Sequence, residues 1–203
     1  ARINSILADL GYSATRVNSR TDGRKDAQVT YGWGQTSPRE IATILERIAT
    51  GKLLTPASSE RMLRCLGRNY WDEEALGQLP PDIFVASKNG AVNQSRSEVL
   101  YVKAPNNPYV FSIITRNQKD QSWGNANEGW MLARTLSRDL WHHFEPRSPW
   151  KASQPLAAGR VVRPAPAPGL EHLVVDALGR CDQGQRVTQR VQQTAVVVGN
   201  LKL

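Results

Sequence analysis

The stretch Ser87-Lys88-Asn89-Gly90-Ala91, followed by Arg96, holds the residue types in this sequence best placed to do chemistry. The apolar run Ile83-Phe84-Val85-Ala86 predicts a strand over 83–88, and a second run predicts a strand over 98–103. A lysine, an amide and a glycine then stand at the end of one strand, and an arginine at the start of the next. Two cations on neighbouring strands can fix a carboxylate by charge-assisted hydrogen bonds. A glycine lets a substrate approach the backbone closely. A strand edge offers N–H and C=O groups to a peptide-like ligand. Alone, Lys-Asn-Gly means little, because Asn-Gly is first of all a turn dipeptide. The plain alternatives are a strand-end lysine for Lys88 and, for Arg96, a solvated arginine pairing with Glu98.

Other reactive residue types form no such group. His142 and His143 close a helical pattern, where positive charge suits the dipole, and His172 stands apart; none is at metal-ligand spacing with a cysteine or an acid. Cys65 and Cys181 make neither a zinc motif nor a disulfide framework, and Cys65, on a helical pattern, is expected to pack as a small apolar residue. No cofactor or metal is expected. Trp130 and Trp141 read as core, whereas Trp33 and Trp71 fall in loops that could line a cleft. The net charge of +8 is spread along 203 residues without a Lys/Arg block, so a nucleic-acid partner is not expected. No apolar run approaches the roughly 18 residues of a membrane span.

The elements around the Lys-Asn-Gly stretch follow from periodicity. Ile3, Ile6, Leu7 and Leu10 have helical spacing, and Gly11 ends the run. From Tyr12 to Gln35 the chain is polar and irregular, long enough to be functional. Ser37-Pro38-x-Glu40 reads as a capping box, and Ile41, Ile44, Leu45, Ile48 and Ala49 form the stripe behind it. Thr55-Pro56 starts a second helix ending near Gly67, giving a helical hairpin. Leu79-Pro80-Pro81 breaks the chain before the strands. A third strand over 109–115 is joined to the second by a turn-rich loop, which favours an antiparallel pair. A helix from about Asn127 to Phe144, with Asn125 and Glu128 at capping-box spacing, covers the sheet. The fold class is therefore α+β, with an antiparallel sheet flanked by helices. Residues 1–145 form the domain, 146–169 a Pro-rich linker, and 170–203 a tail of unknown structure.

This order, together with Phe84-Val85-Ala86-Ser87 leading into Lys88-Asn89-Gly90, resembles the C-terminal half of class A β-lactamases and related penicillin-recognising serine hydrolases. Gly11 to Val17 resembles the start of that family's omega loop, and Asn69 to Pro81 its segment between helix hairpin and strand. The likeness covers roughly residues 2–145. It implies that Lys88 supports substrate binding and proton movement, and that the N–H of Ala91 is an oxyanion-hole donor. It also implies that Asn89, Gly90 and, with a one-residue shift, Arg96 bind the substrate and its carboxylate. Asn89 stands where the family has Thr or Ser, so the hydroxyl is missing.

Two further departures matter. The family nucleophile lies in Ser-x-x-Lys, followed by Ser-Asp-Asn. Here the only Ser-x-x-Lys is Ser148-Pro149-Trp150-Lys151, in the Pro-rich stretch, where nothing is expected to hold it as a nucleophile. The chain therefore reads as an N-terminally truncated fragment, with the missing half of the domain as its implied partner. The family also places a Glu in its omega loop to activate the deacylating water, whereas residues 16–35 contain only Asp22 and Asp26 as acids. The resemblance implies a β-lactam or cell-wall peptide as substrate and a periplasmic or secreted parent. Within the same fold the alternatives are a D,D-peptidase or an esterase; outside it, a non-catalytic cell-wall peptide binder. An exposed sheet face and an unpaired edge are expected, with poor solubility.

Overall fold

Two helices cover one face of an antiparallel sheet and a third covers the other. The structure, a computed structural model, describes residues 2–69, 71, 73–152 and the backbone of 194–200. The helices are α1 (Arg2–Asp9), α2 (Lys25–Tyr31), α3 (Pro38–Ala49), α4 (Pro56–Leu66) and α5 (Glu128–Phe144). The strands are β1 (Arg16–Val17), β2 (Gly34–Gln35), β3 (Val85–Val92), β4 (Ser95–Val102), β5 (Tyr109–Thr115) and β6 (Thr194–Asn200). The main sheet runs β3-β4-β5-β6, every pair antiparallel, and β1 and β2 form a separate two-stranded ladder.

The helical hairpin forms as its caps dictate. The Ser37 side chain accepts from the Glu40 N–H, Thr55 accepts from the Ser58 N–H, and Pro38 and Pro56 take the first helical turn. Gly51, at φ +75°, ends the first helix in a conformation that a side chain would strain. The box is not reciprocal, however. The Glu40 carboxylate reaches away from Ser37 to the chain at 13–15. At α5 the cap is Asn127, whose side chain accepts from Gly129 N–H, and not Asn125.

The sheet has two apolar faces. Leu100, Val102, Tyr109, Phe111 and Ile113 pack with Trp130, Ala133, Trp141 and Phe144 of α5. Ala86, Val99, Tyr101 and Val110 pack with Ala42 and Leu45 of α3. Tyr12, Ile48 and Leu53 make a third cluster, under α1 and the hairpin. Both faces of the β3–β5 part of the sheet are thus covered, contrary to the expectation of an exposed one. Cys65 is exposed on α4 and does not pack as expected.

Two expected boundaries move. The strands expected over 83–88 and 98–103 extend toward each other and meet at a two-residue turn, Asn93-Gln94. Asn89-Gly90 is therefore mid-strand and makes no turn. The packed part also runs past 145. Glu145 accepts from the backbone N–H (2.7 Å) and side-chain amide (2.5 Å) of Asn106, and the Trp150 indole donates to Gln78 O. Most of the Pro-rich linker and tail, residues 153–193, lies outside the described residues. Within the tail, β6 pairs with β5 over seven residues, from Tyr109↔Asn200 to Thr115↔Thr194. Among the described residues no helix is long and apolar enough to cross a membrane.

Candidate functional site

The free edge of β3 is defined by strand alternation. Lys103 N–H donates to Phe84 O (3.0 Å), and the β3–β4 register then runs without a bulge from Val85↔Val102 to Val92↔Ser95. Even-numbered residues of β3 therefore hydrogen-bond to β4. The N–H and C=O of Val85, Ser87, Asn89 and Ala91 point away from it. Among the described residues no strand pairs with this outer edge. Ala91 is exposed, so its N–H is open to a ligand.

Lys88 is also exposed at this edge, and its ammonium donates to the outward carbonyl of Asn89. It shares a sheet face with Ala86, Gly90 and Val99. Gly90 sits opposite Ser97, whose Oγ donates to Gly90 O at 3.2 Å. A Cβ on Gly90 would stand 2.8 Å from that Oγ. The absence of a side chain there keeps the backbone accessible beside Lys88.

Arg96 departs from what the resemblance implied. It lies opposite Ala91, on the face of β4 that carries Glu98, Leu100 and Val102 toward α5. Side chains alternate with period two, so the one-residue shift turns Arg96 to the face opposite Lys88. The residue is 1% exposed. Its guanidinium donates to the carbonyls of Val92, Ser95 (2.9 Å) and Ser122 (2.5 Å) and lies 4.8 Å from the Trp123 ring centroid. Arg96 therefore ties the β3–β4 hairpin to the loop before α5. Nor does it pair with Glu98, the plain alternative. The position on Lys88's face is Ser97, which has no charge to offer a carboxylate.

Glu98 is buried beneath the same hairpin and accepts from the N–H groups of Ala75 (2.9 Å) and Leu76 (3.4 Å). Burial raises its pKa to about 7, against the pull of those two donors. Nearby, burial also raises Glu74, although Arg134 lies 2.5 Å away and opposes the shift. The Asn69 amide donates to Ser87 Oγ (2.8 Å), which fixes the start of the segment that leads from α4 back to β3.

The loop expected to be irregular has a closed neck. Arg16↔Gln35 and Val17↔Gly34 pair, and the Asn4 side-chain amide bonds to both the N–H and the C=O of Val17 at 2.8 Å, as a third strand would. Arg24 donates to Asn18 Oδ1 (2.8 Å) and Gln35 Oε1 (2.7 Å) inside the loop. Beneath the neck, the Glu40 carboxylate accepts from the N–H groups of Ser13 (2.8 Å), Ala14 (2.9 Å) and Thr15 (2.7 Å) and from Thr15 Oγ1 (2.6 Å). Burial pulls the Glu40 pKa upward, but these bonds outweigh it and hold the pKa at about 2. Sequence reasoning missed this anchor. Its only local signal, the capping-box spacing, pointed to Ser37.

Ser148 is held by its neighbours, accepting from the Trp141 indole (3.1 Å) and Trp150 N–H (3.3 Å). It lies after α5, away from the β3 edge in the chain order. Trp33 and Trp71 are 81% and 63% exposed. No cluster of His, Cys, Asp and Glu suited to a metal ion occurs among the described residues.

The Beta-lactamase enzyme family matches this chain over residues 1–144. The chain belongs to that family. No curated protein matches it. Its fold is similar to that of a PBP-A variant solved as an acyl-enzyme complex with penicillin-G (TM-score 0.57, 23% identity, covering 71% of this chain and 51% of that one). It is also similar to a beta-lactamase from Sphaerobacter thermophilus (TM-score 0.57, 17% identity, 72% and 54% covered). A class A beta-lactamase from Mycobacterium abscessus matches at TM-score 0.54 and 17% identity, with 70% and 53% covered. The chain thus spans about half the length of these β-lactamase-like structures, and its helices and antiparallel sheet are those of a partial β-lactamase-like domain.

Proposed function

We propose that this chain supplies one wall of an acyl-transfer cleft, and that the parent protein cleaves β-lactams through an acyl-serine intermediate. The observation that carries this reading is the outward N–H of Ala91 on the free edge of β3, next to the exposed Lys88. An outward N–H there is placed to stabilise a developing oxyanion, and Lys88 to hold the substrate's anionic end. The nucleophile comes from sequence outside these residues, because Ser148-Pro149-Trp150-Lys151 does not lie on a helix. The parent works outside the cytoplasm, where such substrates are found.

A D,D-peptidase acting on cell-wall peptides is the second reading, favoured by the loop between Arg16 and Gln35, which carries no Glu to activate a deacylating water. A chromogenic cephalosporin assay on the parent separates the two. An acylation burst followed by slow turnover supports the peptidase reading, and rapid steady turnover supports the lactamase. Absence of both burst and turnover, with no acyl adduct by mass spectrometry, refutes acyl-serine chemistry altogether.

A further inference from the structure

Glu98 lies under the outer strand and takes no part in the chemistry proposed above. It pairs with Asn89 across β3 and β4. Even-numbered β3 residues bond to β4, so Asn89 and Glu98 form a non-hydrogen-bonded pair, the kind in which facing side chains stand closest. Both project toward α5, away from the face of Lys88. The exposed Lys88 side chain nevertheless bends round the free edge: its ammonium donates to the carbonyl of Asn89 and lies 3.4 Å from Asn89 Oδ1. Asn89 therefore stands between a buried carboxylate and an exposed cation.

We propose that Glu98 is a positioning residue for Lys88: ionised, it holds the ammonium across Asn89 and away from an anionic substrate, and protonated, it releases it. This rests on the reading of the β3 edge as the substrate wall. Three observations carry it. First, Glu98 is fixed in place, because its two oxygens accept from the N–H groups of Ala75 and Leu76. Second, its charge changes near neutral pH. Burial raises its pKa to about 7; the two N–H donors and the charge of Lys88 oppose that rise, and Glu74 adds to it. Third, the other charges around it are already engaged. Glu74 pairs with Arg134 of α5, and Arg96 is held by the carbonyls of Val92, Ser95 and Ser122. Lys88 has no ion-pair partner among the described residues and is free to respond. Ionised Glu98 thus opposes an anion twice, by its own charge and by engaging Lys88. A unit charge roughly 10 Å away, at an effective dielectric constant of about 40, weakens anion binding about fourfold.

Nuclear magnetic resonance titrations of the full chain test this. Without ligand, the Glu98 carboxyl carbon should titrate with a midpoint of about 7, and the Lys88 side-chain carbons should follow the same midpoint. Benzylpenicillin, whose carboxylate stays ionised over this range, should then bind about threefold more tightly at pH 6 than at pH 8, the fourfold effect scaled by the fraction of Glu98 that titrates. Glu98→Gln, which keeps Glu74, His142 and His143, should bind equally at both pH values, with the affinity of the parent at pH 6. Lys88 carbons that ignore the Glu98 midpoint, equal binding by the parent at both pH values, or a pH dependence that survives Glu98→Gln would each overturn this inference while leaving the β3 edge as the substrate wall. An absence of saturable shifts along β3 at either pH would refute the wall and overturn both.

Discussion

Replacing Glu40 with Gln should uncouple the start of the long loop from α3, and only above the acid range. Glu40 is half-buried and accepts three backbone N–H bonds and the Thr15 hydroxyl bond. Its pKa falls from 4.5 to about 2 in the fold. At about 1.4 kcal/mol per unit, this corresponds to roughly 3 kcal/mol. Partial exposure and screening reduce that to about 1–2 kcal/mol. The sign follows from proton binding: the folded state holds the proton less tightly, so the stabilisation is present above pH 4.5 and is lost as pH falls through about 2. Gln mimics the protonated acid. Urea unfolding of the chain and of Glu40→Gln at pH 7 should differ by about 1–2 kcal/mol, a melting shift of roughly 2–8 °C. The difference should close as the pH approaches 2. A difference that does not change with pH, or one below about 0.5 kcal/mol at pH 7, would refute the assignment of this carboxylate as the loop's anchor.

Glu98 works in the opposite direction. Its pKa is raised from 4.5 to about 7, so the fold binds its proton more tightly, and stability falls as pH rises through that window, by up to about 3 kcal/mol. Glu98→Gln should flatten that slope and equal or exceed the parent's stability at pH 8 in denaturant titrations; an unchanged slope would contradict the burial argument. Arg96→Ala should destabilise by about 2–4 kcal/mol, because it empties the space of a side chain that is 1% exposed and removes its three bonds to the carbonyls of Val92, Ser95 and Ser122. Quenching of the exposed Trp123 should also change. An Arg96→Ala chain as stable as the parent would mean that the guanidinium is not a clamp.

Elements set by local signals were legible in the sequence. Pro38, Thr55-Pro56 and the stripe from Ile41 to Ala49 identify the helical hairpin, and the apolar run at 109–115 identifies β5. Relations between distant residues were not. Asn93-Gln94 carries a weaker turn signal than Asn89-Gly90, so the hairpin's length was misjudged, and the parity of Arg96 depends on that turn. The Asn4 bonds to Val17 and the Glu40 bonds to 13–15 join residues 13 to 27 positions apart, which no periodicity reports. Nor does any local feature of Thr194–Asn200 indicate that it pairs with Tyr109–Thr115. At the site, Lys88, Asn89, Gly90 and Ala91 lie along β3, with the backbone of Asn89 and Ala91 on its outer edge, and Arg96 turns to the opposite face.

The outward edge of β3 is tested most directly by amide resonances of the isotope-labelled chain during titration with benzylpenicillin. The account predicts saturable shifts at Ala91 and Asn89, whose N–H groups face outward, with smaller ones at Gly90 and Val92, whose N–H groups are held by β4. Saturating shifts centred elsewhere, or none along β3, would contradict the assignment of this edge as the substrate wall.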